Sequence, residues 1–232
     1  MDKTGVIEKL MSFSLSRQEA LIYLCLWEHG KLTGYEAGKL TGISRSNVYG
    51  ALKALADKGA AVVTETNTTL YSAVEPEEFL SNIILHMEED KKYLVEHMPQ
   101  SVKCEEGYIT IQGYRNIKDK IRNMIIGCDM RLYFAASGNI IREFEDVLSE
   151  AKKRGLKIVL MSDRDCSHLA TKFYQDQPEN GQIRLITDSA YVLTGELQGE
   201  SSDTCLYSGQ TNLVTIMKEA LRNKIRLLEM EV

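Results

Sequence analysis

Apolar positions in the first hundred residues recur at three- and four-residue spacing, whereas from about Tyr108 they fall into short β-rich runs between helical stretches. Over residues 15–28 the stripe is Ala20, Tyr23, Leu24 and Trp27, with Ser16 placed as N-cap and Glu19 as its capping-box partner. Gly30 ends that helix. Thr33 is placed to cap a short segment over 34–40, Gly42 supplies a turn, and Ser44 stands where it would cap a helix over 44–58 with Val48, Leu52 and Leu55 on its buried face. Two β-rich runs, 60–65 and 69–74, flank Thr66, Asn67 and Thr68 and predict a hairpin. Helix, short helix, glycine turn, longer helix and hairpin is the order of a winged helix-turn-helix.

The outer face of the 44–58 helix carries Arg45, Ser46, Asn47, Tyr49, Gly50 and Lys53. Short hydrogen-bonding groups, a phenol and cations concentrated in the first turns suit a helix whose N-terminal end enters a major groove. A helix that only faced water would more often pair Glu with Lys at four-residue spacing. The expected double-stranded DNA contacts are Lys39, Ser44, Arg45, Ser46, Asn47, Tyr49 and Lys53, with Thr66, Asn67 and Thr68 at the tip of the wing. Cations and acids balance between Met1 and Glu75, so phosphate contacts must come from a few placed groups such as Arg45, Lys53 and Lys39 and from backbone amides at helix starts. The same neutrality leaves a protein-docking module as the alternative, because a fold does not dictate its function.

The run Leu15-Ser16, Glu19-Ala20, Tyr23-Leu24, Glu36, Gly42-Ile43, Arg45-Ser46, Val48-Tyr49, Leu52, Leu55 and Lys58-Gly59, followed by Tyr71 and Glu75-Pro76, resembles the N-terminal domain of TrmB-like transcriptional regulators. The resemblance covers most of residues 12–80 and implies a winged-helix DNA-binding domain read out by the 44–58 helix. The chain departs from the family pattern at Gly34, Ala37 and Gly38, where stronger helix formers or larger apolar residues are common, and at Ser44, where proline is frequent. The short helix is where those departures fall.

Pro76 suits a first helical turn, and Glu77 and Glu78 suit its dipole, so a helix follows with Leu80, Ile83, Ile84, Met87, Leu94 and Met98 down one side. It reads as a linker helix packed on its own domains or, more sharply, as a short dimerisation helix, an imperfect heptad interrupted by Asp90 and His97. Beyond it, strands are expected over 108–111, 131–135, 156–161, 182–186, 191–194 and 204–207. Helices are expected over 114–126, 140–154 and 212–229, with a weaker one over 167–174. The fold class is therefore α/β, in three parts: a winged helix over 1–75, a linker or dimerisation helix over 76–104, and an α/β sensor or dimerisation domain over 105–232. The last part resembles the phospholipase-D-like domain found behind winged helices in the same group of regulators.

That resemblance raises phosphodiesterase chemistry, whose signature is His-x-Lys with an Asp five positions after the Lys. Aligned on Asp188, the nucleophilic His falls at Gly181 and the charge-neutralising Lys at Ile183, so no catalytic residue is expected and a remnant phosphodiesterase stays only as an alternative. His29-Gly30-Lys31 repeats the spelling in the winged domain, with Glu36 where the Asp should be. Neither metal nor cofactor is expected, since His86, His97 and His168 have no partner pattern. A small-molecule effector would sit at the carboxyl ends of strands, where two polar loops offer Ser137, Asn139, Asp163 and Arg164, with Asp188 as a further candidate.

The chain has 232 residues, is 44% hydrophobic and carries a net charge of −5, all of it after Glu75. No window suggests a membrane span, and the start, Met-Asp-Lys-Thr-Gly, has no apolar export segment. Cys25, Cys104, Cys128, Cys166 and Cys205 form no CxxC pair and are expected to be free thiols in a reducing cytoplasm. The expectation is a cytoplasmic, homodimeric, effector-responsive regulator that binds double-stranded DNA and no membrane.

Overall fold

The computed structural model describes residues 2–65, 67–100, 107–178 and 181–230, in two compact units, 1–101 and 102–232. The first unit begins with α1 (Lys3–Ser12), which the sequence pattern did not single out, and α2 (Arg17–His29). Ser16 and Glu19 make the expected capping box: the Ser16 hydroxyl accepts from the Glu19 amide at 3.2 Å, and the Glu19 carboxylate accepts from the Ser16 amide at 2.8 Å. Trp27 departs from its expected place in the buried stripe. It is 44% exposed, because the face that enters the core is centred on Ile22, Tyr23 and Leu26.

Next come β1 (Leu32–Thr33), α3 (Gly34–Thr41), α4 (Arg45–Asp57), β2 (Ala61–Glu65), β3 (Thr69–Ala73) and α5 (Pro76–His97). β3 lies between β2 and β1, antiparallel to both, so the hairpin carries a two-residue third strand too short to show in the sequence pattern. Thr33 and Glu36 form a second capping box at α3. The small residues of α3 have a steric reason: a Cβ at Gly34 would lie 2.6 Å from the Tyr49 ring, and one at Gly38 would lie 3.3 Å from a Val48 methyl. They let α3 lie close against α4, at the cost of helix propensity. The core joins Ile22, Leu26, Ala37, Val48, Leu52 and Leu55. Phe79 roots the start of α5 in it, against Tyr23, whose hydroxyl donates to the Val74 carbonyl at 2.8 Å.

The second unit is a seven-stranded sheet in the order β4 (Ile109–Gln112), β10 (Thr204–Ser208), β9 (Tyr191–Glu196), β8 (Gln182–Thr187), β5 (Arg131–Ala135), β6 (Lys157–Ser162), β7 (Lys172–Gln175). β5, β6 and β7 run parallel, and every other pairing is antiparallel. Alternation along each strand makes two cores. Leu132, Phe134, Ile158, Leu160, Ile183 and Leu185 face α6 (Tyr114–Ile126), α7 (Gly138–Arg142) and α8 (Glu145–Lys153). Met161, Ile186 and Val192 face α9 (Thr211–Met230).

Two expected helices are corrected. The run 140–154 is divided between α7 and α8 because Phe144 leaves helical geometry, with φ −115° and ψ 15°, to bury its ring edge-on to Phe134. Residues 167–174 form a single 3-10 turn, Ser167–Leu169, followed by β7, which takes up the open edge of β6. Among the described residues, no helix is long and apolar enough to cross a membrane.

Candidate nucleic-acid interface

α4 is amphipathic in the sense the interface requires. Val48, Ala51, Leu52 and Leu55 are buried, whereas Arg45, Ser46, Asn47, Tyr49 and Lys53 are all exposed on the other side. Arg45, Asn47, Lys53 and, on α3, Lys39 have no hydrogen-bond or salt-bridge partner among the described residues. Lys58 differs. Its ammonium bonds the Glu19 carboxylate at 2.6 Å and the Ser14 carbonyl at 2.7 Å, tying the end of α4 to the start of α2. Burial alone would raise the Glu19 carboxyl, but Lys58 and the Ser16 amide outweigh it and hold it below its ordinary range.

The start of α4 is electrostatically open. Asp2, Ser16 and Thr33 each accept a backbone amide at their helix starts, whereas Ser44, though at the N-cap, makes no such bond. Its hydroxyl stands 3.4 Å from that of Ser46, so Ser44 holds the expected cap position without a side-chain capping bond. No acid occupies the first turn, and the amides there are available to an anionic group such as a phosphate.

Tyr49 organises the exposed face of α4. Its ring lies over Gly34, where any side chain would collide with it, and it stays 41% exposed. The Arg45 guanidinium carbon is 6.0 Å from the ring centroid, within reach of a cation–π contact that would orient the fork. At Gly50 an added Cβ would meet nothing within 4 Å, so this glycine, unlike Gly34, answers to no neighbour inside the chain. Sequence reasoning missed Tyr35. It is 71% exposed on α3, one position after Gly34 and four before Lys39, and this spacing to an expected contact was its signal. Asn67 and Thr68 are exposed at the hairpin turn, and Thr66 lies outside the described residues.

In the second unit the two polar loops do come together, yet they satisfy each other. The Asp163 carboxylate accepts from the Gly138 amide at 2.7 Å, and the Arg164 guanidinium donates to the Asn139 side-chain oxygen at 2.8 Å. The Gly138 amide holds the Asp163 carboxyl below its usual range. Ser137 is at the N-cap of α7, with its hydroxyl 3.5 Å from the Ile140 amide. Asp188 does not join them. It lies at the other end of β5, where its carboxylate accepts from the amides of Asp129, Met130 and Arg131 at 2.8, 2.8 and 2.9 Å and lies 3.3 Å from the Cys128 thiol. Burial pushes its carboxyl up, and the three amides more than offset that. Asp188 braces a turn, with φ 51°, and stands apart from the two polar loops.

The described cysteines, Cys25, Cys128, Cys166 and Cys205, are free and buried. Burial raises the thiols of Cys128 to about 11 and Cys205 to about 12, and that of Cys166 rises too, so none is poised as a thiolate. Cys104 lies outside the described residues. Among those described, no cluster of three or more His, Cys, Asp or Glu could hold a metal ion.

Residues 10–77 match the model of the family described as sugar-specific transcriptional regulator TrmB. Over those residues the chain is TrmB-like. This TrmB-like chain is similar to the HTH-type sugar sensing transcriptional regulator TrmBL1 of Pyrococcus furiosus, with 31% identity over 126 residues that make up 52% of the chain and 37% of that protein. Among solved structures, TrmBL2, described as an archaeal chromatin protein with a novel mode of DNA binding, is 20% identical with a TM-score of 0.45, covering 97% of this chain and 99% of that one. Nuc from Salmonella typhimurium, a phospholipase D family member, is 13% identical with a TM-score of 0.43, covering 53% of this TrmB-like chain and 95% of its own.

Proposed function

We propose that this TrmB-like chain is a cytoplasmic, homodimeric transcriptional regulator that reads double-stranded DNA with α4. Lys39 and the wing add backbone contacts, and the second unit receives a small-molecule signal. The observation that carries the reading is the outer face of α4: Arg45, Asn47 and Lys53, exposed and without a hydrogen-bond or salt-bridge partner among the described residues, beside a helix start without a side-chain cap. Arg45 and Asn47 are the base readers, since their forks suit guanine and adenine edges, and Lys53 holds a phosphate. The docking-module alternative rests on the balanced charge of residues 1–75. A dimer answers it by doubling every cation on the operator.

Support for the dimer comes from α5. Beyond Ile83 the helix leaves the core, and Ile84, Met87, Leu94 and Met98 are all exposed at alternating three- and four-residue spacing interrupted by Lys91. A second copy of this helix is the occupant that hides such a stripe. Light scattering on the full chain tests it. A dimer that Leu94→Glu converts to monomer is expected, and a wild-type monomer at high micromolar concentration would refute the assignment.

Phosphodiesterase chemistry has no support from the residues. Gly181 adopts φ 73°, Ile183 is fully buried and Asp188 is committed to backbone amides. A selection from random DNA followed by gel shift tests the DNA reading: one enriched site is expected, and its loss of preference in Arg45→Ala identifies the reader. No enrichment, with a partner protein captured by the same face, would favour the docking alternative.

A further inference from the structure

One cavity in the second unit is built differently from its surroundings. A groove of about 280 Å³ lies between α9 and the sheet face of β5 and β8, with Tyr133, Ile186, Leu221 and Ile225 as an apolar floor. Lys218, Arg222 and Arg226 line it from α9, four residues apart and therefore on one side of the helix. None has a hydrogen-bond or salt-bridge partner among the described residues. The single acid in the lining, Glu229, is already engaged, accepting from Lys172 at 2.6 Å and from the Tyr174 hydroxyl at 2.7 Å.

The simplest alternative is that these cations form an ordinary solvated helix face. Two features argue against it. The cation of α9 that does not line this groove, Lys224, is paired with Asp176 at 2.9 Å, so the helix neutralises one charge and leaves three around the cavity. Like charges at four-residue spacing destabilise a helix, and an anion in the groove relieves that repulsion. The smaller neighbouring cavity of about 110 Å³ differs in the same respect: its Lys224 and Arg184 are already bonded, to Asp176 and to Gln182 at 2.6 Å.

We infer that this groove binds a small amphipathic anion, an apolar body on the Tyr133–Ile186–Leu221–Ile225 floor and a carboxylate or phosphate head held by Lys218, Arg222 and Arg226. Guanidinium forks bind either head in bidentate fashion, and an apolar floor with a few placed charges is the usual composition of a small-ligand site. The groove lies on the α9 side of the sheet, away from the Asp163–Gly138 loops that close on each other. The inference deepens the signal-receiving role proposed for the second unit and rests on that role only for any effect on DNA. Ligand binding stands on the groove itself.

The test is isothermal titration of the full chain, without DNA, using octyl phosphate and octanoate below their micellar concentrations, with octan-1-ol as the neutral control. Saturable binding of one anion per chain is expected, and whichever of the two heads binds more tightly identifies the head group. The Arg222→Gln/Arg226→Gln double variant should bind at least roughly tenfold more weakly, while Arg115→Gln on α6 should bind like wild type. Exposed Arg→Gln changes leave the core intact, and an unchanged melting temperature verifies this. No saturable binding, equal binding of octan-1-ol, or full affinity in the double variant would overturn the inference. Because DNA is absent, such a failure leaves the DNA-binding proposal untouched.

Discussion

Gly50→Ala separates the stability of α4 from its reading function. Gly50 is the sixth residue of a thirteen-residue helix, and an added Cβ would meet nothing within 4 Å. Glycine inside a helix costs about 0.5–1 kcal/mol relative to alanine, and here no clash offsets the gain. Gly50→Ala should therefore stabilise the first unit by that amount, raising its melting temperature by about 2–8 °C for a unit of roughly a hundred residues. DNA affinity should move the opposite way. Gly50 lies one helical turn from Ser46, Asn47 and Lys53, so on our reading its bare backbone is where the duplex comes closest. A methyl group forced into a close-packed contact costs about 1–3 kcal/mol. Thermal melting followed by circular dichroism, with fluorescence anisotropy on a selected duplex, measures both. Higher stability with unchanged affinity would refute the placement of the duplex against this turn, and lower stability would refute the account of the helix.

Three further outcomes are expected. Glu19→Gln should destabilise the first unit by about 1–3 kcal/mol, since it breaks a largely buried charge-assisted contact; because the folded carboxyl is held below its unfolded value, wild-type stability from this source should be present above about pH 4–5 and lost as pH falls through the folded pKa, and an acid titration in which Glu19→Gln keeps the full wild-type dependence would contradict this. Asp188→Ala should cost the second unit about 1–3 kcal/mol by leaving three amides without their acceptor, so a melting temperature equal to wild type would show that the carboxylate braces nothing. The purified protein should release no p-nitrophenol from bis-p-nitrophenyl phosphate above blank, and turnover that vanished in Asp188→Ala would restore the enzyme alternative.

The sequence was most legible where a local rule decides the structure. The Ser16–Glu19 capping box, the Gly42 turn and the Val48, Leu52 and Leu55 stripe are short-range signals, and each appears where its spacing placed it. Tertiary competition obscured the rest. Trp27 and Leu26 are adjacent apolar residues on α2, and only the packing of Ile22 and Leu26 into the core decides which is exposed. Leu169, Ala170 and Phe173 imitate helical spacing, yet β6 offers an unpaired edge and residues 172–175 take it. Gly34 and Gly38 weaken α3 as propensity and are accounted for only when Tyr49 and Val48 are seen against them. At the candidate sites, residue type told which groups could bind DNA or a ligand. It could not tell that Asp163 and Asp188 spend their carboxylates on backbone amides, or that Lys218, Arg222 and Arg226 would surround one groove.

The central claim is that α4 reads DNA through Arg45 and grips it through Lys53, and the salt dependence of binding tests both at once. Affinities of wild type, Arg45→Ala and Lys53→Gln should be measured between about 50 and 200 mM salt on a selected site and on a scrambled duplex. Lys53→Gln should weaken both duplexes alike and reduce the log–log slope by about 0.9 per chain. Arg45→Ala should lose about 1–3 kcal/mol on the selected site and much less on the scrambled one. Equal binding of both duplexes by wild type, or a selected-site affinity and salt slope unchanged in both variants, would contradict the account.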